Sequence, residues 1–190
     1  KNEFKKREGE NLTFTPIFID AVAKAIKDFP MINVSVSGTT IIKRKDINIG
    51  MAAALPSGNL IVPVIKNADR MNLVGLAKAV NELANNARNN KLKPEDIQGG
   101  TYTVTNVGTF GNVMGTPIIN QPQVAILSTD AIVRKPVVVN VPGGGESIAI
   151  HPVGHLAMSW DHRAFDGAYA ASFLVRVKEI LETRDWSSEF

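Results

Sequence analysis

Residues 155–183 read HLAMSWDHRAFDGAYAASFLVRVKEILET, which predicts a strand, a short polar loop and a helix in succession. The helix is expected over 167–183, because its apolar residues recur at helical spacing, at Ala171, Leu174, Val177 and Leu181. His162 lies in the loop between the two elements. A strand end of this kind commonly holds a functional side chain on a rigid base.

On either side of this stretch, the sequence predicts two more helices and a series of strands. Thr15 and Pro16 are typical of a helix start, with Thr15 as the N-cap, and Pro30 ends that helix. Asn72 is expected to cap a second long helix, whose apolar stripe we interpret as core rather than as a partner-binding face. Strands are expected at 33–36, 39–42, 47–55, 60–65, 101–106, 124–127, 137–141 and 148–153.

These elements predict an α/β protein, a two-layer sandwich with a mixed sheet and helices mainly on one face. Several neighbouring strands are joined by short turns, so antiparallel pairs are expected. We expect one domain over 11–190, preceded by a charged lead-in at 1–10, flexible or truncated. Because the chain starts with KNEFKKREGE and has no initiator Met, we expect it to be a fragment of a longer polypeptide.

Composition excludes several classes of protein. The 190 residues contain no cysteine, which excludes a disulfide framework and a thiolate nucleophile and fits a cytoplasmic location. A formal net charge of +3 is too small for a general nucleic-acid binder. No apolar run reaches the length of a membrane span, so we expect no membrane partner.

Two stretches contain side chains suited to catalysis. Imidazole is well matched to proton transfer near neutral pH, so His162 is a candidate base, although from spacing alone a hydrogen-bonding role fits it equally well. Asp166 could similarly be only a helix cap. Thr105 ends a strand just before a glycine-bearing loop, where a hydroxyl can face a substrate; the residues alone favour a plain Thr-rich edge strand.

Other patterns do not support a site. Gly108, Gly111 and Gly115 do not fit the dinucleotide fingerprint or a P-loop. His151 and His155 would lie about 13 Å apart on an extended segment, too far to share one metal ion, so no metal is expected.

The stretch Asp161-His162-Arg163-Ala164-Phe165-Asp166-Gly167 resembles the DHRxxDG signature of the dihydrolipoamide acyltransferases, the core components of 2-oxo acid dehydrogenase complexes. Four more stretches resemble the same family and follow its order along the chain. They are 47–50 (INIG), 60–65 (LIVPVI), 91–106 (KLKPEDIQGGTYTVTN) and 115–123 (GTPIINQPQ). A lone HxxxDG would be weak, whereas the ordered set is specific.

The resemblance implies a fold like that of chloramphenicol acetyltransferase and a homotrimer with active sites between subunits, assembled into a 24-mer or 60-mer core. It implies coenzyme A as a substrate and a lipoyl group carried on a separate domain that is absent from this chain. The decarboxylase and dihydrolipoamide dehydrogenase components are the implied partners, bound through missing domains.

The resemblance also implies residue roles. His162 matches the family's general base, Thr105 matches the hydroxyl that stabilises the oxyanion, and Asp166 orients the site. Asn106, Gly108 and Trp160 are expected next to the substrate. Arg163 is expected to form a structural ion pair, and the basic residues 43–45 are expected to be a solvated face.

Two alternatives remain open: a free-standing acyltransferase of the chloramphenicol type, and a catalytically silent structural core. The intact His162, Thr105 and Asp166 argue against the silent core. Trp160 stands where the family often has Tyr, and the C-terminal tail is less aliphatic than many family tails, which makes cage assembly the least secure expectation. The acyl group could be acetyl, succinyl or branched-chain.

Overall fold

The computed structural model describes residues 2–189, which form four α-helices and eleven β-strands. The helices are α1 (Asn2–Glu8), α2 (Thr15–Asp28), α3 (Leu73–Arg88) and α4 (Gly167–Thr183). The strands are β1 (Val34–Ser37), β2 (Thr40–Lys43), β3 (Ile49–Met51), β4 (Ala53–Ala54), β5 (Leu60–Ile61), β6 (Val64–Ile65), β7 (Tyr102–Asn106), β8 (Ala125–Thr129), β9 (Val133–Asn140), β10 (Glu146–Val153) and β11 (Leu156–Trp160).

A five-stranded mixed sheet of order β11-β8-β7-β3-β6 forms the centre of the molecule. The pairs β3–β7 and β7–β8 are parallel, whereas β11 runs antiparallel to β8 and β6 runs antiparallel to β3. Helices α2, α3 and α4 pack together on one face of this sheet. The predicted two-layer α/β sandwich with a mixed sheet is therefore confirmed.

The core lies between this sheet and the helices. Tyr102 on β7 is fully buried, and its ring meets Phe173 of α4 edge-on, with 5.9 Å between ring centroids. Its hydroxyl contacts Met158 Sδ on β11 at 3.4 Å. Burying side chains of this size stabilises a fold by about 2 kcal/mol each, so β7 is firmly held and provides a rigid support for the residues at its end.

Helix α3 confirms the predicted cap and stripe. The Asn72 side chain accepts a hydrogen bond from the Gly75 N–H at 2.9 Å, and the apolar stripe of α3 packs inward. The start of α2 differs slightly from the prediction. Thr15 is its first helical residue, and the N-cap is Phe14, whose side chain makes no capping hydrogen bond.

The opening charged segment forms the helix α1, which the sequence did not predict. Phe4 on α1 is fully buried in a small cluster with Leu12, Leu73 and Ala77. An isolated helix of this length is unstable in water, so contacts with α3 and residue 12 stabilise it.

The two strands predicted at 47–55 and 60–65 pair as expected, but each is divided in two. Ala52 N–H donates to Val104 O on β7 at 3.0 Å instead of to its hairpin partner. Pro63 has no N–H to donate at the corresponding point of the other strand. As a result β4 and β5 leave the main sheet and form a small separate ladder next to α3.

Strands β9 and β10 form a separate two-stranded ribbon, longer than predicted at its β9 end. Pro136 is tolerated there because a two-stranded ribbon leaves one edge of each strand without a partner. The apolar face of the ribbon is exposed, with Val138 at 65% and Ile148 at 75%.

Candidate active site

His162 is at the tip of a turn that is anchored on both sides. Asp161 N–H donates to Val124 O at 2.7 Å, and Ala164 N–H donates to Asp161 O at 2.9 Å. Ala164 and Phe165 are buried in the core. These contacts hold the backbone of the turn and leave the imidazole exposed, 5.8 Å from the Trp160 ring.

Arg163 forms the predicted structural ion pair. Its guanidinium binds Asp161 through two nitrogens, with Nε at 2.9 Å from Oδ1 and Nη2 at 2.6 Å from Oδ2. These hydrogen bonds hold the pKa of the Asp161 carboxyl below its usual range and raise the pKa of Arg163. Both side chains stay charged near neutral pH, so their role is to fix the turn that presents His162.

Asp166 begins α4. Its Oδ1 accepts a hydrogen bond from Tyr169 N–H at 3.0 Å, the geometry of an N-cap. The next residue, Gly167, lies against the Trp160 ring. Trp160 Nε1 is buried and has no hydrogen-bond partner among residues 2–189.

Thr105 lies elsewhere, at the end of β7, and borders a cavity of about 1110 Å³. The cavity lies between the start of α2, the second half of α3, the β4–β5 ladder and the ends of β3, β7 and β8. Thr105 is 8% exposed, and no residue in the described range hydrogen bonds to its hydroxyl. A buried hydroxyl facing open space can donate a hydrogen bond to a bound molecule.

Of the three residues expected next to the substrate, Asn106 borders this cavity and the other two do not. Gly108 packs against the end of β8, where an added Cβ would come within 2.4 Å of the Asp130 carbonyl carbon. Asp130 is buried and accepts hydrogen bonds from Ser128 Oγ, Asn112 Nδ2 and Gly115 N–H. This carboxylate holds the loop after Thr105 in place, and nothing in the sequence alone pointed to it.

Within one protomer His162 and Thr105 lie at opposite ends of the sheet. Thr105 pairs with Ser128, which pairs with Ala157, so these three residues are level across β7, β8 and β11. Trp160 lies three residues further along β11, about 10 Å along the strands and about 10 Å across them, or about 14 Å from Thr105. His162 lies beyond Trp160, well outside hydrogen-bonding reach of Thr105.

The sequence interpretation also missed the part of α3 that lines the cavity. Asn81, Asn85 and Arg88 border it together with Val80 and Ala84. The sequence contained a signal, because polar residues at spacings of four and three share one helix face. We had interpreted the asparagines only as weakening the end of the helix.

No group of three or more potential metal ligands exists within residues 2–189. His155 Nδ1 lies 3.0 Å from Val113 O. No helix in the same range has the length and hydropathy needed to cross a lipid bilayer.

The family model "2-oxoacid dehydrogenases acyltransferase (catalytic domain)" matches residues 1–187. The chain belongs to this acyltransferase family. Among curated proteins it is 48% identical to the lipoamide acyltransferase component of the branched-chain alpha-keto acid dehydrogenase complex of Bacillus subtilis, over 97% of this chain and 42% of that protein. It is 44% identical to the succinyltransferase component of the 2-oxoglutarate dehydrogenase complex of Bartonella vinsonii, over 96% of this chain and 43% of that protein. The chain thus spans less than half the length of these relatives.

Solved structures of the acyltransferase family share the fold. A probable dihydrolipoamide acetyltransferase from Listeria monocytogenes has a TM-score of 0.91 and 42% identity, covering 100% of this chain and 80% of that one. The dihydrolipoamide acetyltransferase of Azotobacter vinelandii has a TM-score of 0.86 and 34% identity, covering 96% and 74%. It was studied for the catalytic roles of a serine, a histidine and an asparagine four positions after that histidine.

Chloramphenicol acetyltransferase has a TM-score of 0.58 at 13% identity, covering 95% of this chain and 82% of that one. At this identity the likeness concerns the fold alone, and it confirms the predicted fold type.

Proposed function

We propose that this chain transfers an acyl group between a dihydrolipoyl thiol and coenzyme A, as the core acyltransferase of a 2-oxo acid dehydrogenase complex. The observation that carries the proposal is His162, exposed on a fixed turn and followed four positions later by Asp166. The same spacing separates the histidine and asparagine studied in the Azotobacter enzyme. An amide and a carboxylate oxygen can both accept the capping hydrogen bond.

A general base is useful because a thiol with a pKa near 8.5 is only a few per cent thiolate at pH 7. In the forward reaction a ring nitrogen of His162 takes the proton from the coenzyme A thiol as the sulfur attacks the thioester carbonyl. The carbonyl π electrons move to oxygen and give a tetrahedral oxyanion. When the oxyanion collapses, the bond from carbon to the dihydrolipoyl sulfur breaks, and His162 returns the proton to that sulfur.

Thr105 is proposed to donate its hydroxyl hydrogen to the oxyanion. Its hydroxyl has no partner among the described residues and borders a cavity large enough for a substrate arm. One such donor in an enclosed site is typically worth about 3 kcal/mol of transition-state stabilisation.

The distance between His162 and Thr105 requires two protomers. A site that uses both residues must be formed from His162 of one copy and Thr105 of a neighbour. Large apolar side chains available for such contacts are exposed after β7 and on the β9–β10 ribbon, among them Phe110, Met114, Ile118 and Ile150. We therefore propose a homotrimer as the smallest active unit, with a larger cage as its further assembly.

The lipoyl group is proposed to arrive on a separate domain, and the decarboxylase and dihydrolipoamide dehydrogenase components are the proposed partners. The acyl group stays open, because the relatives quoted above act in branched-chain and 2-oxoglutarate complexes.

Replacing His162 by alanine tests the proposal directly. We expect kcat for acyl transfer from acyl-dihydrolipoamide to coenzyme A to fall at least about a hundredfold, the usual scale of general-base catalysis. His151→Ala, an exposed histidine on the β9–β10 ribbon, is the matched control and should keep normal turnover. Near-normal turnover in His162→Ala would exclude this mechanism.

A further inference from the structure

The cavity that Thr105 borders is lined by a single cation. Of the described residues around it, only Arg88 and Glu10 are charged. Glu10 is engaged, since its Oε2 accepts a hydrogen bond from Asn81 Nδ2 at 3.0 Å. Arg88 is thus the only lining residue within 2–189 that carries a positive charge towards this space.

Arg88 also lacks the carboxylate partner that several arginines in the chain have. Its only hydrogen bond to a described residue is to the neutral Asn85 Oδ1, at the long distance of 3.5 Å. By contrast, Arg163 and Arg176 each bind an acidic side chain within 3 Å. A guanidinium left open in this way presents its planar fork of donors to an anionic group from outside.

The position of Arg88 indicates which part of a ligand it would meet. Val80 marks the buried end of the cavity-lining face of α3, whereas Arg88, in its last turn, is exposed. Eight residues separate them, which is about 12 Å along the helix axis. Val104 and Thr105, both buried, border the cavity at the sheet, so Arg88 lies at the cavity mouth.

We infer that Arg88 binds a phosphate group of coenzyme A at the mouth of this cavity. This inference rests on the proposed function, because it takes coenzyme A as the acyl acceptor and Thr105 as part of the reaction centre. Between these two points, Asn81 and Asn85 offer side-chain amides to the two amide groups of the pantetheine arm.

Reach favours a phosphate over the other anionic group that a substrate could carry. The pantetheine arm places about twelve bonds between its sulfur and the first phosphate oxygen, and an extended chain of that length spans about 14 Å at the rise of an extended backbone. The carboxylate of a succinyl group lies only three carbons from the thioester carbon. It would stay near Thr105, far from Arg88.

The test compares acceptors with and without phosphates. In Arg88→Gln we expect KM for coenzyme A to rise about ten- to hundredfold, the range for losing a hydrogen bond between charged groups. KM for pantetheine, which has the same thiol and arm but no phosphate, should stay within twofold. Lys78→Gln, an exposed cation of α3 that does not border the cavity, is the control and should change neither.

Two further arms separate the possible explanations. Calorimetric titration of coenzyme A should show the same weakening in Arg88→Gln, and this readout remains even if no acyl transfer occurs. Running the assay with succinyl and isobutyryl donors distinguishes an acyl carboxylate from a phosphate. An Arg88→Gln effect that appears only with succinyl donors, equals the effect on pantetheine, or is absent from both titration and turnover would overturn the assignment.

Discussion

Two threonines on one strand show how differently neighbouring residues of the same type are used. Thr103 Oγ lies 2.6 Å from Gln123 Oε1, so its hydroxyl is satisfied inside the protein. Thr105 alternates onto the same face of β7 two residues later, and its hydroxyl has no partner in the described range. The sequence TYTVTN does not distinguish them, because the difference comes from what lies opposite each hydroxyl.

Asp20 is a residue-scale feature with a consequence for stability. It is buried on α2, where its carboxylate lies 2.7 Å from Lys24 Nζ and 3.0 Å from Arg184 Nη1. Burial raises its pKa to about 6, an effect that Arg184 opposes and Glu189 reinforces. The folded state therefore holds the Asp20 proton more tightly than the unfolded chain does.

The sign of the pH dependence follows from this difference. Between pH 4 and 6 the folded state binds more protons at Asp20 than the unfolded state, so its contribution to the free energy of unfolding falls as pH rises through about 6. The full difference amounts to about 3 kcal/mol at most. We expect Asp20→Asn to flatten this part of the stability curve in urea titrations from pH 4 to 7.5.

Asp28→Asn is the control for Asp20→Asn, because Asp28 forms a half-exposed ion pair with Arg176. It should leave the slope unchanged, since exposed pairs contribute little. If Asp20→Asn instead lowers stability strongly at pH 7 and leaves the slope intact, the pairs with Lys24 and Arg184 outweigh the desolvation of the carboxylate.

At the scale of elements, α4 connects the catalytic turn to the core. Its bounds, Gly167–Thr183, are those the sequence predicted, because an N-cap aspartate and a clear apolar face mark them. The helix end near the turn depends on the Asp166 cap and on Phe165, whose ring packs 5.5 Å from that of Tyr169. A frayed first turn of α4 would therefore displace His162.

Substitutions of Asp166 separate capping from chemistry. Asp166→Asn should keep stability within about 0.5 kcal/mol, because Asn and Asp cap equally well, whereas Asp166→Ala should lose about 1 kcal/mol. Both follow from urea denaturation of the purified variants. We expect turnover to be largely kept in the Asn variant. A large loss of turnover there, without a loss of stability, would mean that the negative charge itself serves the reaction.

At the scale of the whole molecule, strand order separates the proposed base from the proposed oxyanion donor. Because β11 is antiparallel to β8 while β7 is parallel to it, the ends of β11 and β7 point in opposite directions. Two copies must combine to bring His162 and Thr105 together. Side chains within a single protomer cannot complete this site.

This arrangement predicts complementation between two inactive variants. His162→Ala and Thr105→Ala should each be nearly inactive alone, yet co-assembled trimers should regain about a quarter of wild-type activity, since one interface in four combines both intact residues under random mixing. Acyl transfer by co-expressed and co-purified variants, with one tag on each, measures this recovery. Activity no higher than the sum of the separate variants would mean that both residues act from the same protomer or that one of them is dispensable.

The sequence predicted most elements well where local signals and burial agree. Helices α3 and α4 and strand β7 combine a clear period with good boundaries. It failed at α1, whose charged sequence is helical because Phe4 is buried against α3, and at the division of the hairpin at Ala52, whose N–H bonds β7. Both depend on partners distant in the sequence, which local patterns do not encode.

For this protein, the sequence alone determined the fold class, the family resemblance and the identity of His162, Thr105 and Asp166 as candidates, because ordered motifs and periodic apolar residues are local properties of a chain. Only the tertiary structure decided that Thr105 faces a cavity, that Arg88 borders it without an acidic partner, and that His162 lies at the far end of the sheet. The physical reason is that strand order and helix packing set distances between residues far apart in the sequence.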